Sequence, residues 1–165
     1  MNGDDALHDR AKQTAFRLLS VRARSVRELR ARLKEKGYHE SVVERIVERL
    51  SELKYLDDVS FARQWARNLA VNKLWGNRRI VASLQEKGIP GILIEKVIPE
   101  VRSELTEEEA IRQLIRKKGK TVQSDGSDIK ERWKLSRSLI ARGFPPDLVF
   151  HMLQRSKEDA IDEGE

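Results

Sequence analysis

Three glycines that recur at nearly regular intervals, Gly37, Gly88 and Gly143, constrain the fold of this chain more than any other feature. When they are placed in register, apolar residues lie eight and four positions before each glycine, and six, nine and ten positions after it. Both sets of spacings place side chains on one face of an α-helix. The residues concerned are Leu29, Leu33, Ile80, Leu84, Leu135 and Leu139 before the glycines, and Val43, Ile46, Val47, Ile94, Val97, Ile98, Val149, Met152 and Leu153 after them. The pattern therefore predicts two amphipathic helices joined by a glycine turn, three times over.

Each glycine is expected to end the first helix of its pair, because glycine adopts the left-handed conformation of a helix C-terminus without a Cβ clash. Prolines follow the second and third glycines, at Pro90 and at Pro145 with Pro146, and suit the start of the next helix. The second interval between glycines is longer than the first. We expect the extra length in the polar segment 119–130, GKTVQSDGSDIK.

A third helix precedes each pair, over predicted spans 9–22, 58–74 and 106–118. Capping-box patterns support helix starts at Ser25, where Glu28 follows three residues on, and at Thr106, where Glu109 does the same. The alternation typical of strands joined by hairpin turns does not appear. We therefore predict an all-α chain of three tandem three-helix repeats that form an elongated, curved array.

The repeat register also predicts how the chain is divided. The expected parts are a disordered N-terminus at 1–8, repeats at 9–56, 57–104 and 105–156, and an acidic tail at 157–165. A repeat of this size is too small to bury a good core alone, so the repeats should stack or share helices.

The charge of the chain favours a polyanionic partner. Its 165 residues include 33 lysines and arginines against 27 acids, for a net charge of +6. Between Arg10 and Lys36, ten basic residues are opposed only by Glu28 and Glu35. We interpret this segment as a basic strip that faces phosphates, because acids that would normally alternate with the cations are missing. The alternative is a solvated helix face whose long side chains snorkel.

The stretch Gly76-Asn77-Arg78-Arg79 contains a second concentration of positive charge. It lacks the spacing of a phosphate-binding P-loop and is predicted to begin a helix that Gly76 or Asn77 caps. Arginines in a first turn oppose the helix dipole, so we interpret the pair as an anion site beside free backbone amides. The anion would be a nucleic-acid phosphate or an acidic protein surface. The alternative is that both arginines are solvated or paired with nearby acids.

No catalytic pattern is apparent in the sequence. Cysteine is absent, and His8, His39 and His151 share no spacing with one another or with carboxylates. Asp57 and Asp58 could be read as a metal pair, but a helix cap explains them better. We expect neither an enzyme nor a cofactor or metal site.

The remaining signals are tryptophans and the absence of targeting features. Trp65, Trp75 and Trp133 are expected to fill helical cores or repeat junctions, with exposure at a contact surface as the alternative for Trp75. The N-terminal residues MNGDDALHDRAKQ do not resemble a signal peptide, and no window has the apolar length of a membrane span. A cytoplasmic protein is therefore expected.

The centre of the chain resembles the RecX family. The segments KYLDDVSFA (54–62) and WARN (65–68) are similar to that family's YLDD-x-x-FA region. The segment GNRRIVASLQEKGI (76–89) is similar to its G-x-R-x-I-x-x-x-L-x-x-K-G-I block, and 15–37 is also similar. The resemblance covers residues 9–155 and is weakest in the third repeat, where Arg-Gly replaces Lys-Gly before the turn.

This resemblance implies a bacterial regulator of the RecA recombinase. Family members are crescents of three-helix repeats that lie in the groove of the RecA–DNA filament and restrain its ATPase and strand exchange, which regulates DNA repair and recombination. The implied partners are the RecA filament and its single- or double-stranded DNA, with no membrane partner, and we expect a monomer. Charge and motif position indicate the contact residues Arg22, Arg24, Arg27, Arg30, Lys73, Arg78, Arg79 and Lys87. Tyr55, Asp57, Asp58 and Phe61 are expected to hold the junction between repeats one and two.

A competing interpretation is a transcription regulator that binds DNA directly and sequence-selectively. Three-helix units can present a recognition helix to a major groove. Such a protein would discriminate between DNA sequences, whereas a recombinase modulator need not.

Overall fold

The computed structural model describes residues 3–119 and 128–162, and within them it contains helices and turns but no strand. The first repeat consists of α1 (Gly3–Val21), α2 (Val26–Glu35) and α3 (Glu40–Glu52). The second consists of α4 (Asp58–Arg67), α5 (Asn77–Glu86) and α6 (Gly91–Arg102). The third consists of α7 (Glu107–Gly119), α8 (Asp128–Ala141) and α9 (Pro146–Asp162). The prediction of an all-α chain with three three-helix repeats is confirmed.

The ends of the helical region differ from the prediction. Helix α1 begins at Gly3 rather than at residue 9, because Ala6 and Leu7 are strong helix formers that continue the helix backwards. Helix α9 continues to Asp162, into the segment assigned to the acidic tail. Most of the segment predicted to hold the extra length of the third repeat, 120–127, lies outside the described residues.

The three turn glycines adopt the conformation that their register predicts. Their φ angles are +86° at Gly37, +78° at Gly88 and +92° at Gly143, all in the left-handed region. Prolines follow as expected, since the Pro90 carbonyl accepts a bond from the Ile94 amide at 3.1 Å as α6 begins. The glycine turns therefore fix where the second helix of each repeat ends.

The chain divides into two compact units, each with its own apolar core. The first comprises Met1–Gln64 with Leu84–Ile94, and the second comprises Trp65–Ser83 with Glu95–Glu165. Buried side chains of the first core include Ala11, Leu29, Leu33, Val43, Ile46 and Leu50. Those of the second include Leu74, Ile111, Leu139, Phe144, Val149 and Met152. The apolar positions of the glycine register supply many of these core residues.

A strained connection leads from α4 to α5. Helix α4 is followed by one π-helical turn, Asn68–Asn72, and the chain then reverses at Leu74 with φ +52°. Leu74 is only 3% exposed, and the amide of Trp75 bonds the carbonyl of Leu69 at 2.9 Å. A left-handed leucine costs on the order of 1 kcal/mol, which burial of its side chain offsets. The buried leucine thus anchors the segment that carries Lys73, Arg78 and Arg79.

The tryptophans differ from one another in burial. Trp65 is half-buried and donates from Nε1 to the Ser83 hydroxyl at 2.9 Å, as expected for a packed tryptophan. Trp133 on α8 is 59% exposed, so its assignment to a core or junction is wrong. The reason is its register, since Trp133 lies ten residues before Gly143 and off the apolar stripe at eight and four.

Candidate partner-binding surface

The start of α2 is bonded to the second repeat. Ser25, the N-cap residue, donates its hydroxyl to the carbonyl of Lys87 at 2.6 Å. The next amide, Val26 N–H, donates to the carboxylate of Asp58 at 2.8 Å. Ser25 and Glu28 also form the predicted capping box. We call this set of bonds the first joint.

The start of α5 is bonded to the third repeat in the same way. The Gly76 amide donates to the carbonyl of Arg142 at 2.8 Å, and Asn77 N–H donates to the Glu107 carboxylate at 2.8 Å. Gly76 occupies the register position of Ser25, and Glu107 is the first residue of α7 as Asp58 is of α4. This second joint therefore repeats the first with different side chains.

The second joint contradicts the predicted anion site at the start of α5. The carboxylate of Glu107 already accepts from the Asn77 amide, and the carbonyl of Gly143 accepts from the Arg78 amide at 3.3 Å. A carboxylate at this position also meets the preference of the helix dipole for negative charge. The prediction of free backbone amides is wrong, because Glu107, the internal anion, lies far along the chain from Asn77; contact of Arg78 and Arg79 with an outside anion stays a prediction.

Two further arginines hold the segment between α4 and α5 in place. Arg102 donates to the Trp75 carbonyl at 2.7 Å, to Asn77 Oδ1 at 2.7 Å and to the Leu105 carbonyl at 3.2 Å. Burial lowers the pKa of Arg102, and the nearby acids at 107 and 108 oppose that shift. Arg142 donates to the carbonyl of Lys73 at 2.9 Å. Sequence reasoning missed these roles.

The segment 73–79 displays three of the predicted contact residues on this fixed backbone. The Arg79 guanidinium lies 3.7 Å from the centroid of the Trp75 ring, a cation–π contact. The side chains of Lys73 and Arg78 are exposed and make no hydrogen bond or ion pair with the described part of the chain. Their donors are therefore available to a partner, with the backbone beneath them already ordered.

Two cations of the basic strip in the first repeat pair with acids of α3, which lie outside the segment from Arg10 to Lys36. Arg30 makes a bidentate pair with Glu44 on α3, at 2.6 and 2.7 Å. Lys34 pairs with Glu40, also on α3. Arg30 and Lys34 are thus paired by α3, and the contact of the other cations of the strip with phosphates stays a prediction.

Arg22 and Lys87 converge on one half-buried acid, Glu28. Arg22 donates to both carboxylate oxygens of Glu28, at 3.1 and 2.9 Å, and Lys87 Nζ donates to Glu28 at 2.6 Å. Burial raises the pKa of Glu28, but the bonds from Arg22 and Lys87 outweigh it and lower that pKa to about 2. The bond to Glu28 correspondingly raises the pKa of Arg22. Both cations therefore bond Glu28 beside the first joint.

The other two predicted contact residues of the first repeat are held less tightly. Arg24 is half-buried and donates from Nε to the Leu18 carbonyl at 3.1 Å, and burial lowers its pKa. The stem of Arg27 packs against Gly88, while its guanidinium is exposed and lies 3.4 Å from the Gln85 carbonyl. The side chain of Arg27 is therefore more exposed to solvent than that of Arg24.

The acid pair in the YLDD motif is structural. Asp57 caps α4 by accepting from the Val59 amide at 2.9 Å and from the hydroxyl of Ser60 at 2.9 Å, as predicted. Asp58 joins repeats one and two through Val26, also as predicted. In residues 3–119 and 128–162 no three His, Cys, Asp or Glu side chains are grouped as metal ligands. No helix in those ranges has the length and apolar character to cross a membrane.

The ionised carboxylate of Glu28 is expected to stabilise the fold at neutral pH, and this contribution is expected to disappear at low pH. Its folded-state pKa of about 2 lies below the ordinary value of 4.5, so its contribution to stability is present above pH 4.5 and is lost as the pH falls towards 2. The Glu28→Gln variant should be about 1–3 kcal/mol less stable than wild type at pH 7, and this difference should shrink as the pH approaches 2. Denaturant unfolding at several pH values measures it.

The matched control is Glu44→Gln, whose carboxylate is 46% exposed in its pair with Arg30. It should change stability by less than about 1 kcal/mol. Equal losses for the two variants would contradict a special role for Glu28.

Comparison with protein families finds three matches in sequence order. Residues 11–50 match the first three-helix domain of RecX, residues 57–98 the second and residues 106–153 the third. The matched domains together span most of the chain.

Several relatives have the name Regulatory protein RecX. One from Mycolicibacterium smegmatis is 31% identical over 148 residues, 88% of this chain and 78% of that protein. One from Mycobacterium leprae is 31% identical over 136 residues, 82% of this chain and 79% of that protein. One from Halalkalibacterium halodurans is 33% identical over 82% of this chain, which spans 50% of that longer relative.

Two solved structures share the fold. A crystal structure of RecX from Lactobacillus salivarius has a TM-score of 0.76 at 22% identity, covering 92% of this chain and 97% of that one. A second crystal structure, of a regulatory protein RecX, has a TM-score of 0.71 at 24% identity and covers 90% and 73%.

Proposed function

The chain belongs to the RecX family, and from this premise we propose that it is a negative modulator of a RecA recombinase. It binds the RecA–DNA filament and lowers its ATPase and strand-exchange activity, and so regulates DNA repair and recombination. The observation that carries the proposal is the match of all three RecX domains in order along the chain. The protein acts as a cytoplasmic monomer and by binding, without catalysis or a cofactor.

The segment 73–79 is the part of the chain best suited to contact the filament. Lys73, Arg78 and Arg79 can donate charge-assisted hydrogen bonds to acidic side chains of the recombinase or to phosphates. Because the bonds from Arg102, Glu107 and others already order the backbone there, binding costs little additional conformational entropy.

The predicted contact residues divide into two groups for testing. Arg22, Arg30 and Lys87 are ion-paired within the protein, so their substitution changes stability as well as surface charge. Arg78 is exposed and makes no polar side-chain contact with the described residues, so it reports on the partner alone. Arg79 also stacks on a tryptophan, and its variant needs a check of folding.

Removing the two arginines is expected to weaken inhibition of the recombinase. Arg78→Ala should raise the protein concentration needed for half-inhibition by about threefold, and Arg78→Ala with Arg79→Ala by about tenfold. The measurement is the DNA-dependent ATPase of the cognate RecA at fixed salt, with each variant titrated in.

The control is Lys96→Ala, which removes an exposed lysine of α6 that has no polar partner in the described chain. It should inhibit like wild type. A double arginine variant that keeps its helical circular dichroism and inhibits normally would remove the segment 73–79 from the contact surface.

Sequence-selective DNA binding is the competing function, and the two joints limit which helices could perform it. In a helix-turn-helix protein the N-terminal residues of the recognition helix reach base edges. The starts of α2 and α5 are bonded to the following repeat through Asp58 and Glu107, so base contacts in this chain would have to come from other helices. Binding that distinguished one duplex sequence from scrambled duplexes would restore the transcription-regulator interpretation.

A further inference from the structure

Helix α8 carries an exposed face that is aromatic and basic. Ile129 is 74% exposed and Trp133 is 59% exposed. Lys130, Lys134 and Arg137 are also exposed, and their side chains make no hydrogen bond or ion pair with residues that the structure describes. We call these five residues the α8 face.

Helical geometry gathers the three cations on one side of the tryptophan. At 3.6 residues per turn, Lys130 and Arg137 fall nearly in line along the helix, and Arg137 lies one turn beyond Trp133. Glu131 is the one acid between residues 129 and 141; it lies three residues before Lys134, is half-buried, and forms no ion pair with the three cations in the described structure. The positive charge beside Trp133 is therefore not neutralised by its own helix.

Trp133 in the α8 face has register equivalents in α2 and α5 that lie beside the following repeat. Trp133 falls in register with Arg27, which packs on the Gly88 turn, and with Arg78, whose amide bonds Gly143. The N-cap position of the two joints falls on Glu131, which lies inside α8. Because residue 131 is within a helix, it cannot begin one, and a further repeat cannot dock there through the same bonds.

We propose that the α8 face is a binding site for single-stranded DNA, with Trp133 stacking on a base and Lys130, Lys134 and Arg137 bonding the flanking phosphates. Exposed aromatic rings interleaved with cations are the usual surface for single strands, since every base offers a π-face and every linkage a charge. Duplex DNA keeps its bases stacked and offers Trp133 no such face. The site goes beyond the proposed function because it needs no recombinase.

The test is binding of the full-length protein to a fluorescein-labelled oligo(dT) 20-mer, measured by anisotropy in the absence of RecA. Trp133→Ala should weaken binding by about 5- to 100-fold, as expected for one lost stacked base, while Trp133→Phe should keep most of the affinity. Arg137→Gln should lower the slope of log K against log salt by about 0.7. Duplex binding should be the same for wild type and Trp133→Ala.

Because Trp133 is highly exposed, its variants should melt at the wild-type temperature, and thermal melting checks this. Lys96→Gln on α6 serves as the matched charge control. Wild-type protein that fails to bind the oligonucleotide, or Trp133→Ala that binds it normally, overturns the proposal. A Trp133→Ala protein that binds DNA normally but no longer inhibits RecA would assign the face to a protein partner instead. Loss of DNA binding with normal inhibition would support the site and leave the proposed function intact.

Discussion

Replacing Gly143 by alanine is expected to destabilise the second unit by about 3–5 kcal/mol. The residue has a φ of +92°, and an added Cβ would lie 2.5 Å from the Arg79 amide nitrogen and 2.6 Å from the Arg79 Cβ. The strain of a left-handed alanine therefore adds to a clash with backbone that is held in the second joint. The midpoint of denaturant unfolding, compared with wild type, measures the loss.

Gly37→Ala is the matched control, because Gly37 has a similar φ of +86° but nothing within 4 Å of an added Cβ. It should cost only about 1 kcal/mol, since conformational strain is partly offset by the lower entropy of the unfolded chain. Gly88→Ala should also cost more than Gly37→Ala, because its Cβ would lie 2.4 Å from Arg27 Cδ and 2.7 Å from Arg27 Cβ, which is fixed to the backbone. Equal losses at Gly37 and Gly143 would show that packing at the joint contributes nothing.

Truncation of Arg102 is expected to cost about 3 kcal/mol of stability. Arg102→Ala leaves the carbonyls of Trp75 and Leu105 and the amide oxygen of Asn77 without their donor, at roughly 1 kcal/mol each. Arg102→Lys should rescue little, because an ammonium group lacks the planar fork that reaches three acceptors. Thermal and denaturant unfolding of both variants tests the expectation.

Arg67→Ala controls for the loss of one arginine in the same unit. Arg67 pairs with Glu104 at 2.6 Å, but the two side chains are 56% and 45% exposed, so the pair should contribute less than about 1 kcal/mol. If the proposed function holds, Arg102→Ala should also weaken inhibition of RecA, because it loosens the segment that carries Arg78. An Arg102→Ala protein as stable as Arg67→Ala would contradict the clamping role.

The local features of the fold were predictable from the sequence. The glycine turns depend on one residue type at a fixed register, and the capping boxes at Ser25 and Thr106 depend on pairs three residues apart. The exposure of Trp133 was also open to prediction, because its register lies off the apolar stripe. We assigned it to a core from residue type alone, and that was the error.

The contacts between repeats were not predictable in the same way. Ser25 and Lys87, or Asn77 and Glu107, are far apart in sequence and carry no pattern that pairs them. Arg102 in particular looks in sequence like an ordinary cation in the last turn of a helix. The one signal in the sequence for these contacts is that an acid, Asp58 or Glu107, begins the first helix of a repeat. Only the structure shows that each acid accepts a bond from the preceding repeat.

The joints also bear on how such a chain can change in length through duplication. The middle repeat takes part in both joints. Asp58 and the turn before Gly88 accept bonds from the start of α2 in the repeat before it. The start of α5 donates to Glu107 in the repeat after it. A tandem copy of that repeat could be inserted in frame with compatible neighbours on both sides. A copy of the third repeat could not, because α8 runs through the linking position. The start of α8 at Asp128, before the linking position 131, thus limits where a repeat can be added.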